Sequence, residues 1–253
     1  MSAEMPVLNP TKRFSNRVEN YARYRPGYPA EIIHFFEEQL GLRKDAVIAD
    51  IGSGTGLFAE PLLKAGYTVT GVEPNAEMLQ AGAKILAKYP NFTALAGSGE
   101  ATGLAAASVD LITVAQAFHW FDAILAKQEF ARILKPGGHA VLAWNIQKNS
   151  SNFMHGYISL KEKYCVEAMI PERIDEVKIA AFFAPASFQK NIFPNIQLLD
   201  FDALKGQLLS SSYIPLPGHE NYDAMISELV ELFVKYNEHG TVSMEFETIV
   251  FSS

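Results

Sequence analysis

Five short apolar runs rich in β-branched residues, Val47 to Ile51, Tyr67 to Val72, Asn91 to Ala96, Val109 to Ala115 and His139 to Trp144, are each separated by a stretch of helical character. Strands that alternate with helices pair in parallel and carry helices on both faces, so the chain is constrained to an α/β, doubly wound, mostly parallel sheet. Turn chemistry agrees. Lys64-Ala65-Gly66 closes a helix before the second run, and Lys135-Pro136-Gly137-Gly138 closes another before the fifth. After Asn145 the pattern changes: residues 147–190 read as helical and aromatic-rich, and the next strand is expected at Ile196 to Phe201. Met225, Ile226, Leu229, Val230, Phe233 and Val234 fall at helical spacing within Tyr222 to Tyr236, and the alternating Val242, Met244, Phe246 predicts a final strand over Thr241 to Phe251.

In an open parallel sheet a ligand binds beyond the carboxyl ends of the strands, where glycines admit close backbone approach and a helix starts with free N–H groups. "ADIGSGTG", residues 49–56, stands at that place after the first strand. A triphosphate loop needs Gly-Lys-Ser/Thr at its end, whereas Gly56 is followed by Leu57 and Phe58. A dinucleotide loop, G-x-G-x-x-G/A, fails from Gly52 but is formally met by Gly54, Gly56 and Ala59. Charge separates the remaining readings. Asp50, two residues before Gly52, would repel a pyrophosphate but attract a sulfonium and an ammonium group, which is the charge pattern of S-adenosylmethionine. Glu73 closes the second strand, where a carboxylate can accept from both ribose hydroxyls of either ligand.

The formal charge of −7 disfavours a phosphate-tracking surface and points to a small-molecule partner rather than nucleic acid. Cys165 is the only cysteine, which excludes an internal disulfide or a cysteine metal cluster and suits a reducing compartment. The six histidines form no i, i+4 pair, so no metal site is expected. No apolar run reaches a membrane span, and "MSAEMPVLNPTKRF" lacks the apolar segment of a secretion signal; a cytoplasmic location without membrane attachment is the expectation.

"VIADIGSGTG", the acid of "GVEPN", "GSGEATGL", "VDLITVAQAFHWF" and "ILKPGG" resemble, in order, the motifs of class I S-adenosylmethionine-dependent methyltransferases, over roughly residues 14–145. Within that superfamily the chain is similar to the methyltransferase type 11 branch that includes trans-aconitate and ubiquinone/menaquinone biosynthesis enzymes. The resemblance implies a Rossmann-like seven-stranded sheet whose last strand is antiparallel, with S-adenosylmethionine as cofactor. It places Gly52, Ser53 and Gly54 in the loop facing the donor's methionine part, Glu73 at the ribose, and Pro74 and Asn75 at the adenine edge. Many relatives carry an Asp for the adenine amino group where Ser98 stands here; Ser98 and the Gly99 N–H can each make one hydrogen bond, and Glu100 either joins them or caps the following turn. Gln116 falls near the donor's methionine backbone or makes a local strand-end bond.

On the acceptor side, "AQAFHWFD" puts His119 and Trp120 where the methyl should emerge. The His119 imidazole can take a proton, orient the acceptor, or simply pack; a carboxylate acceptor would need no base. "FSNRVENYARYRPGYP" reads as an amphipathic helix ended before Pro26. It is either a lid, with Tyr21 screening the sulfonium and Arg25 pairing a carboxylate of donor or acceptor, or a docking helix with solvated arginines. Ser210, Ser211, Ser212 and Tyr213 can contact the acceptor or form a helix end. The Asn-Pro-Pro-aromatic element of base-amino methyltransferases is absent, which with the acidic charge argues against DNA as acceptor.

The chain is therefore expected to be one methyltransferase domain over 1–253. A lid helix lies in 1–30, a donor-binding core in 40–146, a helical insertion over the substrate site in 147–190, and the completion of the sheet in 191–253. Two other readings stay open: an NAD(P)-dependent oxidoreductase, and a donor-binding protein without transfer activity.

Overall fold

The computed structural model describes residues 18–166 and 174–253. Phe14 and Arg17 of the expected lid, and residues 167–173 of the expected insertion, lie outside this range. Helices α1 (Val18–Tyr24) and α2 (Glu31–Glu38) precede strand β1 (Val47–Ile51). The core continues through α3 (Ala59–Lys64), β2 (Thr68–Glu73), α4 (Ala76–Leu86), β3 (Phe92–Ala96), β4 (Val109–Ala115), α5 (Ala123–Ile133) and β5 (Leu134–Gln147). It is completed by α6 (Asn152–Tyr164), α7 (Glu176–Phe183), β6 (Gln189–Leu199), α8 (Phe201–Leu209), α9 (Tyr222–Tyr236) and β7 (Val242–Ser252).

The seven strands form one sheet in the order β3-β2-β1-β4-β5-β7-β6. β1 to β5 pair in parallel, and β7 runs antiparallel to both β5 and β6, as the resemblance implies. β1 is buried on both faces. Ala49 and Ile51 pack with Phe118, Phe130 and Phe182 on one side, while Ile48 packs with Phe36, Leu62 and Leu86 on the other. A third apolar cluster, of Tyr157, Leu204, Leu229 and Met244, joins α6, α8 and α9 to the antiparallel end of the sheet.

Two sequence expectations are corrected. The sixth strand begins at Gln189, not Ile196, and Phe201 opens α8 behind the Asp200 N-cap, whose side chain accepts from the Ala203 N–H. β6 is an edge strand with Pro194 in it, and Ile192, Ile196 and Leu198 face solvent, so no polar-out alternation marks it. The fifth strand begins at Leu134, because Val109 pairs with Leu134 before a register shift carries the chain past Gly137 to the Leu111 and His139 pair.

The order reverses between β1 and β4, and their carboxyl ends open a crevice there. Buried polar groups fix what borders it. Asn145 on β5, Thr248 on β7 and Asn195 on β6 bond one another, and the two amides reach out to the Gly27 carbonyl at 3.1 and 2.8 Å. The network holds the Pro26-Gly27 segment against the sheet and thereby sets where Arg25 emerges.

Candidate active site

A cavity of about 240 Å³ fills the crevice, floored by the carboxyl ends of β1, β2 and β4. Gly52 has φ +71, and a Cβ there would lie 2.5 Å from the Ala117 Cβ, so only glycine lets the loop pass this close to the β4 end. Gly56 serves a different purpose: its missing Cβ is replaced by the Leu86 side chain of α4, which makes it a packing glycine rather than part of a phosphate cradle.

Glu73 closes β2 with both carboxylate oxygens held. Oε2 accepts from the Gly54 N–H and Oε1 from the Asn75 N–H, each at 2.9 Å. Each oxygen keeps a lone pair for a hydroxyl. Burial raises the Glu73 pKa, and the two backbone bonds oppose that. Asn75 caps α4, its carbonyl oxygen accepting from the N–H groups of Glu77 and Met78.

Asp50 is 1% exposed and does not line the cavity. Its Oδ1 accepts from the Thr113 hydroxyl at 2.9 Å, while Oδ2 has no hydrogen-bond partner among the described residues. Burial pushes its pKa up to about 7, opposed by the Thr113 bond and reinforced by the Glu73 charge. A buried carboxyl with one oxygen unsatisfied is held partly neutral, and a positive charge brought near it would favour its ionised form.

Most of the other sequence-predicted donor residues meet here. Gly52, Gly54, Pro74, Asn75, Ser98, Gly99, Glu100, Gln116 and Tyr21 all line the cavity with Glu73, and Trp120 joins them from the acceptor side. Ser53 and Arg25 do not. Glu100 Oε1 accepts from the Asp122 N–H and so also ties the segment after β3 to the start of α5. Gln116 has φ +56, a conformation costly for a side-chain-bearing residue, and its Nε2 donates to the Asn145 carbonyl at 3.0 Å. Gln116 thus makes a local bond and also borders the cavity.

The "FHWF" turn divides its aromatics. Phe118 is buried against Phe182 of α7 with ring centroids 4.9 Å apart, and Phe121 and Trp120 turn to the cavity. The His119 ring lies 4.8 Å from the Trp120 ring and lines neither this cavity nor the smaller one beside it. Phe121 and Met78 were not anticipated. Phe121 was readable from its neighbours in "FHWFD", whereas Met78 is exposed to the cavity only because Asn75 starts α4 there.

The smaller cavity is bordered by Arg25, Gln116, Lys161, Ser211 and Tyr213. Arg25 leaves α1 with its guanidinium 5.2 Å from the Tyr21 ring centroid and an Nη2 donating to the Ser210 carbonyl at 3.3 Å. Ser210 and Ser211 are buried at the end of α8. Lys161 was missed; the signal available was a lysine on the apolar face that Tyr157, Leu160 and Tyr164 define along α6.

The donor cavity fits a cationic adenosyl ligand. Among the described residues its lining carries two carboxylates, Glu73 and Glu100, and no lysine or arginine. No group of three or more His, Cys, Asp or Glu able to hold a metal occurs among the described residues, and no helix there is long and apolar enough to cross a membrane.

Residues 49–142 match a family model described as a methyltransferase domain. Over 246 residues the chain is 25% identical to an uncharacterized methyltransferase of Schizosaccharomyces pombe, with 96% of each chain covered. It is 39% identical over 132 residues to an uncharacterized methyltransferase of Mycobacterium bovis, spanning 52% of this chain and 51% of that protein. A solved structure from Anaeromyxobacter dehalogenans, provisionally named a type II methyltransferase, shares the fold with a TM-score of 0.66 at 20% identity, covering 91% of this chain and 97% of that one.

Proposed function

We propose that the chain is a class I S-adenosylmethionine-dependent methyltransferase and that it methylates a small molecule entering between α1, α6 and the "FHWF" turn, a reading supported by the methyltransferase-domain match and the shared fold. The observation that carries the donor half of this reading is the charge of the cavity: two carboxylates on its wall, a third carboxyl in Asp50 two residues before Gly52, and no lysine or arginine in the lining among the described residues. A nicotinamide dinucleotide would place its pyrophosphate among these acids without a neutralising partner.

S-adenosylmethionine supplies a methyl group activated on a sulfonium. The residues have then to bind, align and exclude water. Glu73 would hold the ribose, Ser98 and Gly99 the adenine edge, and Asp50 would balance the ligand's positive charge through the glycine loop. Tyr21 and Trp120 border the cavity from α1 and from the β4 loop and would screen the reacting centre from solvent. His119, packed on Trp120, would act by positioning that ring. α6 reaches the acceptor side through Tyr157 and Lys161, the part of the insertion assigned here to substrate.

Calorimetric titration with S-adenosylmethionine, S-adenosylhomocysteine and NAD tests the donor assignment. Binding of the two adenosyl ligands without NAD is the expected result, and binding of NAD alone would overturn it.

A further inference from the structure

Where α1, α6 and α8 converge, the smaller cavity measures about 30 Å³ and shares the Gln116 wall with the donor cavity. Its lining holds Arg25 and Lys161 and, among the described residues, no carboxylate. Lys161 is 6% exposed; its Nζ donates to Gln147 Oε1 and lies 5.4 Å from the Tyr157 ring centroid. The Arg25 Nε is buried and makes no hydrogen bond among the described residues. A buried lysine and a buried guanidinium Nε, with no carboxylate beside them in the lining among the described residues, are groups that an anionic ligand would stabilise.

Resting on the methyl-transfer reading above, we propose that this niche anchors a carboxylate of the methyl acceptor. The acceptor is then a small acid with a second functional group, and Arg25 and Lys161 select it. A carboxylate gripped by two cations has its lone pairs engaged in charge-assisted bonds, so it is an anchor rather than the nucleophile. The reacting atom lies on the other side of Gln116, in reach of the donor cavity, at a distance from the acid that the wall sets.

The test loads the full chain with S-adenosylhomocysteine and titrates acetate and succinate against their amides, acetamide and succinamide. Carboxylates bind and amides do not; Lys161→Met loses carboxylate binding by about tenfold or more while its affinity for S-adenosylmethionine stays within about twofold. Lys161→Met also keeps or raises the Tm of the ligand-free protein, because it removes an uncompensated buried charge, whereas a lysine with a merely structural role would lower it. Equal binding of acids and amides, or no binding of either, overturns the proposal. So does a loss in Lys161→Met and Arg25→Gln that falls on S-adenosylmethionine, since the niche would then hold the donor's own carboxylate. The loading step separates the two readings: if S-adenosylhomocysteine fails to bind, the donor assignment falls, and the same acids titrated into the free protein decide the niche.

Discussion

Glu73 Oε2 accepts the Gly54 N–H at 2.9 Å, so the acid at the end of β2 is tied to the glycine loop after β1 before any ligand arrives. Glu73→Ala removes that tie and the ribose acceptor together. Hydrogen bonds to a charged group contribute roughly 1.5–3 kcal/mol, so affinity for S-adenosylmethionine and S-adenosylhomocysteine should fall about ten- to hundredfold and to the same extent. Titration calorimetry on both ligands checks this; a loss confined to S-adenosylmethionine would show that Glu73 acts on the sulfonium instead.

Asp50 makes donor binding depend on pH. Its pKa of about 7 leaves it partly neutral at neutrality, and a cationic ligand favours the ionised form. Donor affinity should rise with pH up to about 7 and then level off, with proton release on binding visible as a buffer-dependent heat. Stability runs the other way. The folded pKa is raised from 3.8, so the favourable contribution is full below about pH 4 and is lost as pH rises through about 7. Asp50→Asn should flatten both profiles: its Tm should fall less than that of the wild type between about pH 5 and pH 8, and its donor affinity should be low throughout.

Trp120 and His119 separate the alignment mechanism from a general base. Trp120 lines the donor cavity and His119 packs behind it, 4.8 Å away. Trp120→Ala should lower kcat more than about tenfold, by admitting water and loosening the acceptor. His119→Ala should cost less than about tenfold, and its kcat should keep the wild-type pH profile. A larger loss, with disappearance of a limb near the ordinary histidine pKa, would make His119 the base.

The sheet and the residues that line the larger cavity were legible for a shared reason. β1 reads as an apolar run broken only by Asp50 because both its faces are buried, and the turn glycines and terminal acids of "ADIGSGTG" and "GVEPN" are fixed by local backbone demands written in consecutive residues. The acceptor side was less so. Lys161 meets Arg25 across 136 positions of chain, and nothing local marks either as a partner of the other. β6 was misjudged because an edge strand with Pro194 and three exposed aliphatic residues satisfies neither the period of a half-buried strand nor the solid run of a buried one.

Tyr24 and Gly206 test how α1 is held over the site. The Tyr24 ring lies on α8 where Gly206 has no side chain, and a Cβ at 206 would be 2.1 Å from the ring. Alanine in a helix normally stabilises it by about 1 kcal/mol relative to glycine, but overpacking of this kind costs roughly 1–3 kcal/mol, so the contact decides the sign. Gly206→Ala should displace α1 and with it Tyr21 and Arg25, which border the two cavities. Donor affinity should drop several-fold, and α1 should be cut faster by trypsin at Arg23. Tyr24→Leu made in the Gly206→Ala background relieves the clash, so the double variant should bind S-adenosylmethionine more tightly than Gly206→Ala alone, a coupling that independent sites do not produce. Gly206→Ala with a raised Tm and wild-type donor affinity would mean that α1 is positioned by the Asn145, Asn195 and Gly27 network alone.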